Sequence, residues 1–89
     1  MTEETVRVWL VERSYGHDED LVTLVYATPD GSSQQKTQLS YNMLYGKTIT
    51  AAREVLREQL DPVRDEARRE QFATEATRMA ETHEPDDEV

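Results

Sequence analysis

The sequence predicts an α+β domain: a three-stranded antiparallel β-meander followed by two C-terminal helices, or one kinked helix, packed on the sheet. Three observations predict it. Apolar residues alternate with polar ones early in the chain. A proline-aspartate-glycine turn signal separates two extended stretches. Beyond residue 48, apolar residues recur three and four positions apart, the spacing of one face of a helix.

Residues 6–14 form the first predicted strand. Val6, Val8 and Leu10 fall on one face, and Arg7, Trp9, Val11 and Arg13 on the other, which is strand periodicity with β-branched residues. The polar stretch 15–20, with Gly16, reads as a loop. Residues 21–28 are apolar on both faces, with Val22, Leu24 and Tyr26 against Leu21, Val25 and Ala27. That pattern suits a central strand. Pro29-Asp30-Gly31 is a turn, because proline presets φ and glycine accepts a positive φ. Residues 33–40 return as a polar third strand carrying Lys36, as an edge strand should.

Residues 41–47 connect the sheet to the helical half. Thr48 or Thr50 can cap a helix, whose apolar positions are Ile49, Ala52, Leu56, Leu60 and Val63. Asp61-Pro62 reads as a break and restart, with aspartate as N-cap and proline at the first helical position. A second helix is expected from Pro62 to about Thr82. Its stripe of Val63, Ala67, Phe72, Ala76, Met79 and Ala80 is thin. A helix with so little apolar surface packs shallowly or seeks a partner. Residues 1–80 are expected to form one domain, and residues 81–89, with five acids and one terminal valine, a disordered acidic tail.

Composition narrows the function classes. The chain has 89 residues, nineteen acidic against ten basic, for a net charge of −9. Only Lys36 and Lys47 are lysines. Self-repulsion of this size destabilises a small body in dilute buffer and fades in molar salt. High acid, low lysine and a small core fit a salt-rich cytoplasm. There is no cysteine, so disulfide, thiolate-metal and cysteine-nucleophile chemistry are closed. No apolar run has membrane length, and no basic-then-apolar leader is visible. A cytoplasmic protein is expected.

Chemical motifs are sparse. His17 lies beside Asp18, Glu19 and Asp20, and His83 beside Glu84, Asp86 and Asp87. Neither has the fixed spacing of a cation loop, so solvated acidic clusters are expected, with no metal and no cofactor. Gly16, Gly31 and Gly46 form no phosphate-cradling motif. Arg53, Arg57, Arg64 and Arg68 would line one face of an unbroken helix. The intervening carboxylates and the Asp61-Pro62 break favour a salt-bridged surface over a nucleic-acid face.

The best lead is apolar. If Trp9, Val11, Val22, Leu24 and Tyr26 share an open sheet face, they form a patch needing a cover. A helix of this chain, a second copy or a partner could supply it. The first functional expectation is therefore a small interaction module, homodimeric or with a protein partner. It would use Trp9, Val11, Leu24 and Tyr26, or the helix stripe at Phe72 and Met79. The alternative is a ligand-binding domain or enzyme, with Glu12, Arg13, Tyr15 and His17 as weak candidates. Nucleic-acid binding comes last.

The stretches Val-Arg-Val-Trp-Leu-Val-Glu-Arg-Ser (6–14), Leu-Val-Tyr-Ala-Thr-Pro-Asp-Gly (24–31) and Ala-Thr-Glu-Ala-Thr-Arg-Met-Ala (73–80), with the acidic Glu-Pro-Asp-Asp at 84–87, resemble a family of short, uncharacterised haloarchaeal proteins. The resemblance spans nearly the whole chain. It implies a high-salt habitat and brings no activity, cofactor or site.

Overall fold

The structure is a computed structural model that describes residues 4–16, 21–40 and 49–89. Five strands build one antiparallel sheet: β1 (Thr5–Tyr15), β2 (Leu21–Ala27), β3 (Ser33–Ser40), β4 (Ala52–Leu56) and β5 (Asp61–Pro62), in the order β4-β1-β2-β3-β5. An α-helix, α1 (Glu66–Thr82), follows. The class is α+β, but the expected three-stranded meander with two helices is corrected, among the described residues, to five strands and one α-helix.

The first correction concerns residues 52–56. Their spacing suits a helix, yet they pair with β1 from Thr5↔Leu56 to Trp9↔Ala52. The reason is tertiary. β1 meets β2 only from Trp9 onward, so its N-terminal half would otherwise carry unpaired backbone on both edges, and pairing outweighs the weak helical preference of this short segment. The second correction concerns Asp61–Pro62. It is not a helix start but a two-residue strand beside Ser33 and Gln34. The helix begins after Asp65, whose side chain accepts from the Ala67 amide at 3.0 Å. The expected connector at 41–47 and the candidate cap Thr48 lie outside the described residues.

The sheet is curled. β4 and β5 stand at opposite ends of the strand order, yet only residues 57–60 link them, and residues 57–59 form a 3-10 turn. A flat sheet of five strands would separate its outer strands by about 19 Å, while the link reaches about 17 Å even when fully extended. Arg53 of β4 confirms the curl. Its guanidinium lies 3.9 Å from the Tyr26 ring centroid in β2 and donates to Gln35 of β3 at 3.3 Å. The concave side holds Val8, Leu10, Val22, Leu24, Tyr26, Leu39 and Val55, with Ile49, Leu60, Met79 and Val89 packed at its rim.

The convex side is covered by α1. Trp9, Ala51, Ala52 and Ala76 form one cluster there, and Val25, Ala27, Val63 and Phe72 another, with Val11 touching both. The hairpin turn also docks on the helix. Gly31 has φ +74°, and a Cβ there would overlap the Arg69 carbonyl oxygen. Glycine is required on both counts.

A bulge between Leu10 and Glu12 resets the alternation of β1. Glu12 pairs with Val25 and Arg13 with Leu24, so Arg13 lies on the face opposite Trp9 instead of sharing it. The C-terminal segment, expected to hang free, runs back along residues 49–52. Amides of Ala51, Ala52 and Val89 donate to carbonyls of Asp87, Pro85 and Ile49 at 2.8–2.9 Å, and Thr50 bridges to Glu88.

Candidate functional site: an open strand edge beside the hairpin turn

The candidate site is the depression between the start of β1, the β2–β3 turn and the turn after β4. Val6, Thr28, Pro29, Asp30, Ser32, Ser33, Arg57 and Leu60 line it. The turn wall is preset by one carboxylate. Asp30 Oδ1 accepts from the Thr28 hydroxyl at 2.6 Å, the Ser32 hydroxyl at 2.7 Å and the Ser32 amide at 3.0 Å. The Thr28 hydroxyl and then the Ser32 amide hold the Asp30 carboxyl below its ordinary value of 3.8. Backbone bonds from Gly31 to Thr28 (2.8 Å) and from Thr28 to Ser33 (3.0 Å) close the turn.

Arg57 forms the opposite wall. Its guanidinium donates to Glu4 Oε1 at 2.9 Å. That hydrogen bond, with the charge attraction behind it, lowers the Glu4 carboxyl and raises the guanidinium from their ordinary values. Both groups are exposed, so the pair orients the wall with little effect on stability.

The backbone of β1 completes the site. Leu10 donates to Ala51, and Arg57 to Glu4, so the even-numbered residues of β1 face β4. In an antiparallel ladder the alternate residues point the other way. The N–H and C=O groups of Thr5 and Arg7 therefore face the depression, where no strand pairs with residues 5–8 on that side among the described residues. The arrangement is suited to binding. The Asp30 oxygen already accepts three donors and braces the turn, and Val6 and Leu60 add apolar surface, so the depression offers hydrogen bonds beside an apolar floor.

The residues singled out from sequence are dispersed. Trp9, Val11 and Phe72 lie on the helix side, while Leu24 and Tyr26 are fully buried on the concave side. Met79 touches both clusters at the rim. Trp9 is only 7% exposed and packs against Ala76 of α1, so a helix of this chain supplies the cover. Glu12 pairs with Arg68 of α1 at 3.3 Å. Arg13 lies on the other face, Tyr15 stands half exposed at the strand end, and His17 is outside the described residues. The arginines share no face. Arg53 lies over Tyr26, Arg57 pairs with Glu4, Arg64 is exposed before α1, and Arg68 lies beside Glu12 and the Phe72 ring. His83 caps α1, its Nδ1 2.8 Å from the Thr82 hydroxyl.

Among the described residues no group of three or more His, Asp or Glu is placed to hold a metal. No helix among them is long and apolar enough to cross a membrane. The sequence reads Pro29-Asp30-Gly31 as a turn, with Thr28 ending one strand and Ser33 starting the next, but misses the site around it. The Asp-x-Ser spacing signals a side-chain-braced turn, but nothing local reveals that β1 overruns β2.

A protein-family model matches residues 2–89, nearly the whole chain. The chain belongs to the DUF7967 family. The function of DUF7967 is unknown, so membership settles kinship and assigns no residue a role. No curated protein and no solved structure matches the chain.

Proposed function

We propose that this DUF7967 protein is a non-catalytic interaction module of a salt-rich cytoplasm, taking an extended segment of a protein partner along the free side of residues 5–8. The observation that carries this reading is the overrun of β1 past β2, which turns the backbone of Thr5 and Arg7 toward a preformed depression. An added strand would find N–H and C=O groups at strand spacing, with Val6 and Leu60 beneath it. Backbone pairing between neutral groups persists in brine, where charge-steered recognition is screened. The habitat half of the reading rests on the charge of −9. Among the described residues the ion pairs Arg7–Glu54, Arg57–Glu4, Arg68–Glu12 and Arg78–Glu75 engage four carboxylates.

The test is crosslinking capture in about 2 M KCl, with solution mass measured alongside, for the native protein and the Arg7→Pro variant. The Arg7 amide is not used by β4, so proline removes an outward donor without breaking the β1–β4 ladder. A crosslinked strand partner, or a second copy, lost in Arg7→Pro while the melting temperature holds, supports the reading. Capture unchanged by the variant, or none at all, overturns it. The habitat half fails separately if the melting temperature is the same at about 0.1 M and about 2 M KCl.

A further inference from the structure

We infer that residues 84–89 form an ionic-strength-dependent strap, seated in brine and lifting as salt falls to uncover the outer edge of residues 49–52. This inference does not depend on the strand-addition reading, because it concerns the outer edge of residues 49–52, beyond the β4 side of β1, and a segment of the chain itself.

The seat is specific. The Ala51 carbonyl accepts from Leu10 of β1 and the Arg57 amide donates to Glu4, so Arg53 and Val55 between them face β1 and Ala52 and Glu54 face outward, while the Ala51 amide turns outward as well. The Ala52 amide reaches Pro85 at 2.9 Å, the Ala51 amide reaches Asp87 at 2.8 Å, and the Val89 amide returns to Ile49 at 2.9 Å. The Asp87 side chain accepts from the Glu84 amide at 2.8 Å, and the Asp87 amide donates to the Glu84 carbonyl at 3.0 Å. The strap is thus a preset turn followed by a strand-like end. Val89 packs on both the concave cluster and the Trp9–Ala76 cluster, so lifting it also loosens the rim of the core.

Charge opposes the seating. Glu84, Asp86, Asp87 and Glu88 crowd the strap, on a chain of net charge −9. Arg7, Arg53 and Glu54 flank Pro85 and Asp86. Arg7 is tied to Glu54 at 2.8 Å, and Arg53 is held over Tyr26 and bonded to Gln35. The strap therefore sits by a few backbone bonds and one valine against its own repulsion. Screening shortens that repulsion from about 10 Å at 0.1 M salt to about 3 Å at 1 M. An element held this lightly opens before the sheet does.

Amide hydrogen exchange on the full chain tests this across KCl concentrations, reading Ala51, Ala52 and Val89 against Leu24 and Tyr26 in β2. In dilute buffer the strap-linked amides should exchange at least about tenfold faster than the β2 amides, and the ratio should shrink as KCl rises. In Glu84→Gln/Asp86→Asn/Glu88→Gln, which keeps the Asp87 turn, the ratio should be small and nearly independent of salt. Strap and β2 amides exchanging together at every salt concentration would overturn the inference. So would a salt-dependent ratio that survives neutralisation. The strand-addition reading would be untouched by either result, since it is read from Arg7→Pro.

Discussion

Replacing Gly31 with alanine should unfold much of this protein's margin, and the cost can be worked from two contacts. The residue has φ +74°, which an L side chain occupies at about 1–2 kcal/mol. Its missing Cβ would overlap the Arg69 carbonyl oxygen and stand 2.8 Å from the Ala73 amide nitrogen, both backbone atoms of α1. Neither can swing away like a side-chain tip. The hairpin or the helix must shift, and the helix carries Phe72 and Ala76 against Val25, Ala27, Val63 and Trp9. Partial loss of that packing resembles one large-to-small core change, about 2–3 kcal/mol. The total is about 3–5 kcal/mol, against roughly 4–13 kcal/mol of stability for a chain of this size. The melting temperature should fall by at least about 12 °C. The assay is thermal and urea unfolding by circular dichroism in concentrated KCl, with Gly16→Ala as control. A Cβ at Gly16 meets only the Leu21 carbonyl oxygen at 3.5 Å, so that variant should stay within about 1 kcal/mol of the native protein. A Gly31→Ala protein as stable as the control would refute the reasoning.

Two further changes probe the joints around the sheet. Tyr26→Phe removes the buried hydroxyl that donates to the Thr50 carbonyl at 2.7 Å. It should cost about 1–2 kcal/mol, and a urea midpoint equal to the native one would contradict that bond's role. Asp30→Asn tests the turn by pH. Because the Asp30 carboxyl is held below 3.8, its contribution is complete above that value and disappears as pH falls through the lowered one. The native protein should therefore be more stable than Asp30→Asn at neutral pH, with the gap closing below about pH 4. A gap that is flat with pH would sink the assignment.

The proposed habitat and the proposed strand partner pull in one direction physically. A protein that repels itself in dilute buffer needs salt to stay compact, and salt then screens the charge contacts on which many interfaces depend. Backbone pairing at a strand edge is left as a recognition mode that brine does not screen. The two edges of β1 are handled differently. β4 covers residues 5–9 on one side, with the 84–89 strap closing the edge of 49–52 beyond it. On the other side, residues 5–8 have no strand partner among the described residues.

Local chemistry was enough to read β1, β2 and β3 to within a residue at their ends, the turn at Pro29-Asp30-Gly31 and the end of α1 at Thr82, because alternation, turn residues and caps act over a few neighbours. Only the tertiary structure decided the rest. Residues 52–56 became a strand because an unpaired edge of β1 was available at residues 5–9, far away in sequence, a contact that periodicity does not encode. The bulge after Leu10 sent Arg13 away from Trp9, and the register Trp9↔Ala27, set before the bulge, placed Leu24 and Tyr26 on the face opposite Trp9 and so divided the expected patch. The candidate site followed from the same cause, since the overrun of β1 past β2 is a matter of register between strands. Composition alone predicts a disordered acidic tail over residues 81–89. Its place beside Ala51 and Ala52 comes from backbone hydrogen bonds, which every sequence carries and which only a neighbouring edge can use.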